Sequence, residues 1–235
     1  MKQSQVILIT GASSGFGKIT AQTLAAQGHI VYGTSRKQTE NKGNVTMLVA
    51  DVTDNSSIHC VLEHIMKERG RIDVLINNAA IAQQALFSDI TEEMWDNMFD
   101  TNVKSVYNFT HGVLPHMIHE KYGRIINISS MWGQVGASCE VHYSAAKAAV
   151  IGFTKALAKE TGLSGITVNC IAPGVIDTDM NKNLDAETME YLKEETPMNR
   201  LGTPHDIART ALFLADERSD FITGQIIGVN GGFII

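Results

Sequence analysis

Tyr143 and Lys147 stand four residues apart in Tyr143-Ser144-Ala145-Ala146-Lys147, near the start of a helical pattern. That spacing puts a phenol and an ammonium on one helix face. A free phenol has a pKa of about 10, and a neighbouring cation stabilises phenolate, so Tyr143 is expected to be acidified and to donate a proton near neutral pH. Ser130 closes an apolar run, where its hydroxyl can donate a hydrogen bond to a carbonyl oxygen and hold it against the tyrosine. Such polarisation strengthens as charge builds on that oxygen. Tyr-x-x-x-Lys alone arises by chance on many helices, and it is the serine at a strand end before it that points to carbonyl chemistry.

A second constellation lies at Thr10-Gly11-Ala12-Ser13-Ser14-Gly15-Phe16-Gly17, directly after the apolar run Val6–Ile9 and directly before a helical pattern. Gly11, Gly15 and Gly17 let the backbone turn tightly and approach a pyrophosphate at the helix N-terminus, with Ser13, Ser14 and Phe16 in the same loop. The next apolar run ends in Gly33-Thr34-Ser35-Arg36-Lys37, with no carboxylate before Glu40. An arginine beside a serine there suits the 2′-phosphate of NADPH, where an acidic residue would select NAD. The third strand is expected to end in Asp51-Val52, which places a carboxylate to accept an adenine amino group. Asn77-Asn78-Ala79-Ala80 ends the fourth, where small side chains admit a ligand close to the backbone and the Asn77 amide can tie strand ends together.

The elements that position these residues alternate along the whole chain. Apolar runs at Val6–Ile9, Ile30–Tyr32, Val45–Val49, Val74–Ile76, Ile125–Ile128, Ile166–Ile171 and Ile226–Val229 read as parallel strands covered on both faces. Helical patterns fall at Gly15–Gln27, Ser56–Arg69, Thr91–Glu120, Val141–Thr161, Ala186–Glu195 and Pro204–Ala215. That order spells an α/β, Rossmann-type doubly wound sheet of about seven strands in a single domain, 1–235. The connection Ser35–Asn44 is too short for a full crossover helix. The excursion Asp177–Leu201, with Met180, Leu184, Met189, Tyr191, Leu192 and Met198, is expected to act as a lid over a substrate pocket.

Composition narrows the function classes. Nineteen Lys+Arg against 25 Asp+Glu give a net charge of −6 with no basic cluster, which argues against nucleic acid or an anionic membrane as partner. No apolar run reaches membrane-spanning length and the N-terminus lacks a signal-peptide core, so a cytoplasmic location is expected. Cys60, Cys139 and Cys170 are odd in number and far apart, as reduced thiols would be. His111, His116 and His119 lie along one helical pattern, the last two as an i, i+3 pair, but that pair lacks a third ligand and no metal is expected. Met94, Trp95, Met98, Phe99, Val103, Val106 and Tyr107 form an apolar face suited to core or subunit contact. Ala145, Ala146, Ala148, Ala149 and Gly152 allow close helix approach, and a homotetramer built on the two long helices is what they imply once joined to the family resemblance given below.

Over essentially its whole length the chain resembles the short-chain dehydrogenase/reductase superfamily. The resemblance rests on TGASSGFG at Thr10–Gly17, NNAA at Asn77–Ala80, Asn102 within Thr101-Asn102-Val103, Ser130, YSAAK at Tyr143–Lys147 and PGVIDT at Pro173–Thr178. It implies a catalytic tetrad of Asn102, Ser130, Tyr143 and Lys147, with Asn102 anchoring a water in a proton relay. It also implies that Tyr143 and Lys147 meet the nicotinamide ribose, and that Pro173, Gly174, Val175, Ile176 and Thr178 hold the carboxamide. Ala80 stands where that family usually has glycine.

Within the superfamily the chain is most similar to 3-oxoacyl-(acyl-carrier-protein) reductases, through Gly123–Ser130 and Ile222–Gly232. In those enzymes a carrier protein docks on basic residues beside the active-site mouth. Lys121 can supply one, whereas Ser164 occupies the second position. The stretch Ser130–Val141 is similar to the active-site loop of elongation factor P 5-aminopentanone reductases, which reduce a ketone on a modified translation factor. There Trp132, Cys139, Glu140 and His142 bracket the expected hydride site, and Glu140 can attract a cationic amine.

The expected activity is NADPH-dependent reduction of a small ketone or 3-oxoacyl thioester, with the aminopentanone reductase as alternative substrate reading. An NAD-dependent alcohol dehydrogenase and a nonenzymatic NADP sensor are rivals. Arg36 speaks against the first and the tetrad against the second.

Overall fold

The computed structural model describes residues 4–41, 43–178 and 185–235. Seven strands, β1 (Val6–Ile9), β2 (Ile30–Ser35), β3 (Val45–Val49), β4 (Val74–Asn77), β5 (Gly123–Ile128), β6 (Ile166–Pro173) and β7 (Ile226–Val229), form one sheet in the order β3-β2-β1-β4-β5-β6-β7. Every pairing is parallel, with Ile7 opposite both Val31 and Val74, and Asn127 opposite both Asn77 and Cys170.

Side chains alternate across the sheet, so successive residues of one strand feed opposite layers. Leu8, Leu75, Ile125 and Val168 pack under α2 (Asn55–Arg69), α4 (Ser105–Glu120) and α6 (Val141–Thr161), against Ile65, Phe109 and Ala158 among others. Ile7, Ile9, Ile76, Ile126 and Ile171 pack on the other face under α1 (Gly15–Ala26) and α8 (Pro204–Ala215), against Leu24, Ile207 and Leu214. Burying each such side chain contributes about 1.5–3 kcal/mol before entropy is counted. The remaining helices are α3 (Glu92–Phe99), α5 (Trp132–Val135) and α7 (Ala186–Glu194).

The sequence pattern is corrected in three places. Strands covered on both faces are found only in the middle of the sheet: β3 and β7 are edges, partly open to solvent, and Val49 is exposed. β3 stops at Val49, before Asp51-Val52. The single helical pattern Thr91–Glu120 divides into α3 and α4 at a π-helical turn, Asp100–Lys104, closed by the Ser105 N–H donating to the Asp100 carbonyl. No glycine or proline marks that turn. Its widened backbone points Asn102 into the interior.

Residues 36–41 and 43–44 carry no helix, as the short connection requires. Met180 and Leu184 lie outside the described residues. The rest of their excursion is fastened at both ends. Ile176 pairs with Gly202, Asp177 N–H donates to the Gly202 carbonyl at 2.9 Å, and Arg200 forms a two-pronged ion pair with Asp206 at 2.9 and 3.3 Å. Asp206 also caps α8 through Thr203, and the guanidinium beside it holds its carboxyl well below the usual carboxylate range.

Candidate active site

In an open parallel sheet, ligands bind at the carboxyl ends of the strands where the winding reverses. Here that point lies between β1 and β4, and the Thr10–Gly17 loop occupies it. Asn78 fastens the loop: its Nδ2 donates to the carbonyls of Thr10 (2.8 Å) and Gly11 (3.0 Å), and the Thr10 hydroxyl accepts from the N–H groups of Asn78 and Ala79, both at 2.9 Å. Gly17 is where α1 crosses closest, since a Cβ there would overlap Asn78 Nδ2 and the Gly11 carbonyl oxygen. Ser14 caps α1 without a side-chain bond and the first turn holds no carboxylate. The helix therefore presents its unpaired N–H groups and positive dipole end to whatever binds there. Ser13 is exposed beside Gly15, while Phe16 packs into the core below.

Arg36 and Lys37 are exposed just past β2, and Arg36 makes no ion pair among the described residues. The Ser35 hydroxyl is turned back to accept the Lys37 N–H at 3.3 Å. Asp51 is exposed, and the backbone N–H and hydroxyl of Thr53 hold its carboxyl below the usual range, so it stays ionised. Val52 and Ile176 bury their side chains in the two core layers and can offer a ligand only their backbone. Pro173 ends β6, accepting the Met131 N–H at 2.9 Å, and Gly174 N–H donates to Val229 at 3.0 Å. Val175 accepts from Gly202, and Thr178 leans on Ile176. Together these groups fit a dinucleotide: an uncapped helix end for pyrophosphate, a free arginine for a 2′-phosphate, and a glycine-lined backbone path along the strand ends.

The second half of the site lies past β5. Ser130 is buried, its hydroxyl accepting the Trp132 N–H at 3.1 Å and standing close enough to the Tyr143 phenol to favour its ionised form. Lys147 is buried one turn beyond Tyr143, with its Nζ donating to the Ile128 carbonyl at 2.9 Å and lying 5.7 Å from the phenol ring centroid. Two of its three N–H bonds have no protein partner among the described residues. Asn102 is buried across from them. Its amide exchanges two 2.9 Å bonds with the backbone of Ile81 and donates its other hydrogen to Met98 Sδ, so both N–H bonds are used.

The electrostatics of this half overturn one expectation. Burial pushes the Tyr143 phenol up to about 12, a shift that the hydrogen bond from Ser130 offsets only in part and the nearby Glu140 carboxylate increases. The cation does not win because it is itself desolvated: burial pulls Lys147 down to about 8. Cys170, buried midway along β6, is raised to about 11 by burial, with the Lys147 charge opposing. Its thiol is therefore protonated and inert.

Two further expectations are corrected. His142, beside Tyr143 at the start of α6, is too deeply buried to meet a ligand from the solvent side, and neither ring nitrogen has a partner among the described residues. Lys121 caps α4 at the amino end of β5, while Ser130 follows its carboxyl end. Six residues at about 3.3 Å each put the two roughly 20 Å apart, at opposite ends of the sheet. Of the other bracketing residues, Trp132 opens α5, and Glu140 caps α6 and accepts from Gln84 at 3.1 Å. Ile81, which locks Asn102, escaped sequence reasoning because nothing local marks a contact across 21 residues, and Met98, four residues before Asn102, was read only as part of an apolar face. Among the described residues no group of three or more His, Cys, Asp or Glu could hold a metal ion, and no helix is long and apolar enough to cross a membrane.

A family model described as enoyl-(acyl carrier protein) reductase matches residues 11–234. The 3-oxoacyl-(acyl-carrier-protein) reductase FabG of Thermotoga maritima is 40% identical over 243 residues, covering 99% of each chain. The chain belongs to the short-chain dehydrogenase/reductase superfamily. As a superfamily member it is an oxidoreductase working between alcohol and carbonyl. The FabG of Escherichia coli is 39% identical over 237 residues, 98% of this chain and 97% of that one. Among solved structures, a candidate gluconate dehydrogenase from Agrobacterium tumefaciens superposes with a TM-score of 0.91 at 31% identity, covering 97% of this chain and 95% of its own. These likenesses span both halves of the site.

Proposed function

We propose that this short-chain dehydrogenase/reductase is an NADPH-dependent ketone reductase whose substrates include 3-oxoacyl thioesters. The observation that carries the reading is the buried triangle of Ser130, Tyr143 and Lys147 at the strand ends that also hold an uncapped helix end and the exposed Arg36. Bound NADPH supplies the hydride that reduces the carbonyl carbon. The chain's own residues handle the oxygen. Ser130 donates a hydrogen bond to it, and Tyr143 gives up its phenolic proton as negative charge develops, which a phenol near 12 does readily toward a far more basic alkoxide. Lys147, held by Ile128, has N–H bonds left to stabilise the phenolate and to return a proton to it. Asn102 fixes the Ile81 backbone along the site wall.

The names of the FabG relatives support a 3-oxoacyl substrate on a carrier protein. One observation favours a second reading, a ketone carrying an amine, as in the aminopentanone reductases. The loops 81–90 and 131–141 contain Asp89 and Glu140 but no lysine or arginine, and Lys121 lies at the far end of the sheet. Cytoplasmic location, a homotetramer and a lid over 177–201 belong to the same proposal.

The test is NADPH oxidation with a short 3-oxoacyl thioester, beside a 5-aminopentanone-type ketone and the Tyr143→Phe variant. Turnover of the thioester is expected, with Tyr143→Phe lowering kcat by about 10²–10⁴-fold while NADPH still binds. Turnover of the aminoketone alone supports the second reading. Tight NADPH binding with no turnover of any ketone makes the protein a sensor.

A further inference from the structure

Past β7 the chain folds back across the site on a turn that the tetrad does not explain. Asn230 shapes it, accepting the Gly232 N–H at 3.0 Å and donating to the Ile234 carbonyl at 2.9 Å. Its next residue, Gly231, accepts the Met198 N–H at 3.1 Å and sits so close to the α7–α8 connection that a Cβ would lie 2.6 Å from Thr196 Cγ2. One side of this turn therefore grips the far end of the Asp177–Leu201 excursion. The other side reaches the catalytic wall: the Phe233 ring stands edge-on to Trp132, with centroids 6.0 Å apart at 89°.

Trp132 is two residues from Ser130 and its N–H is the donor on that hydroxyl. Its side chain also packs against the buried cluster of Tyr143, Ala146 and Met98, with Ile81 and Phe99. A single indole thus touches the packing around the proton donor on one side and Phe233 on the other. Edge-to-face aromatic pairs are directional, favouring one relative orientation over sliding contacts. Phe233 can therefore fix the Trp132 rotamer in a way an aliphatic side chain of similar size cannot.

We propose that Phe233 is a positioning residue, holding Trp132 against the Tyr143 cluster and joining the Met198 segment to the wall beside Ser130. The proposal rests on the ketone-reductase reading for its kinetic consequence but not for its structural one. A substrate held at Ser130, whose hydroxyl accepts the Trp132 N–H, feels the loss of Phe233. The adenine and phosphate half of the dinucleotide, at the Thr10–Gly17 loop between β1 and β4, lies apart from this contact.

The chain contains only two tryptophans, so a Trp95→Phe background leaves Trp132 as the sole indole and makes it its own reporter. In that background Phe233→Ala is expected to red-shift Trp132 emission and raise KM for the ketone by about three- to tenfold, the range such a contact is worth. NADPH affinity is expected to stay unchanged, and Phe233→Tyr to restore both readouts while Phe233→Leu does not. Unchanged emission and KM in Phe233→Ala overturn the proposal. Equal rescue by leucine also overturns it, as does a parallel loss of NADPH affinity, because either makes the residue mere packing. If no ketone is turned over by the unsubstituted chain, the functional reading fails, and the emission of the alanine, leucine and tyrosine variants still decides this one.

Discussion

A phenol held near 12 and an amine held near 8 sit one helical turn apart, whereas in water the two groups titrate at about 10 and 10.5. Below pH 8 the pair is an ammonium beside a neutral phenol, the combination that can deliver and then replace a proton. We expect kcat/KM for ketone reduction to fall as pH rises through about 8 with a one-proton slope. A decline only near 10.5 in a pH profile would mean that Lys147 is not desolvated. Stability follows the same shift with a defined sign. The unfolded chain keeps the Lys147 proton up to about 10.5 and the folded chain releases it near 8, so stability rises between those values. Tyr143 acts oppositely, and stability falls from about 10 to about 12. Arg36→Asp puts a carboxylate where a 2′-phosphate would lie and is expected to reverse an NADPH preference toward NADH, measured as the ratio of dissociation constants. That the phenol and the amine share one helix face was readable from their spacing, while the direction of the tyrosine shift was not. Proximity of Lys147 follows from an i, i+4 relation, but the burial that outweighs it depends on how α6 lies on β5 and β6.

Elements were legible where their ends carry local chemistry. Pro204 begins α8 behind Thr203, whose N-cap bond with Asp206 is complete, and the sequence places both ends of that helix where the structure does. α6 likewise runs over Val141–Thr161 as its pattern suggests. The π-helical turn at Asp100–Lys104 left no trace, since widening a helix by one residue needs neither glycine nor proline, only a reward for turning Asn102 toward Ile81. Edge strands β3 and β7 were misread as covered because their apolar runs match the central ones, and strand order is a nonlocal property. At the start of α1 the decisive dimension is the gap between Gly17 and the Asn78 amide. Gly17→Ala must push the helix from the Thr10–Gly11 carbonyls that Asn78 binds. Overpacking of this kind costs about 1–3 kcal/mol. We expect a lower melting temperature together with a loss of dinucleotide affinity measured by calorimetry, whereas Ser13→Ala at the exposed side of the loop alters affinity without the melting change.

At the scale of the molecule, seven parallel strands leave two edges and two helical layers, and the layer holding α4 and α6 is covered on its inner side only. Tyr107 and Ile118 of α4 are exposed on the outer side, and small residues line the outer turns of α6 at Ala148 and Gly152. Exposed apolar and small side chains on two long helices of one layer can pair under a two-fold axis, the symmetry by which most soluble oligomers close. On the proposed tetramer, Tyr107 would lie at such an axis and meet its own copy. Tyr107→Glu then places two carboxylates together in a desolvated contact, a cost that neither ionised group escapes. Sedimentation of the unsubstituted protein is expected to report four chains of 25.6 kDa, and the variant to report two. The consequence for catalysis tests whether the layer matters beyond assembly, because α4 continues from the π-helical turn that carries Asn102 and α6 carries Tyr143 and Lys147. If pairing of these helices steadies that layer, the dissociated variant keeps its NADPH affinity, bound from the other side of the sheet's carboxyl edge, and loses kcat. A variant that sediments as four chains, or an unsubstituted protein that sediments as one, removes this face as the contact.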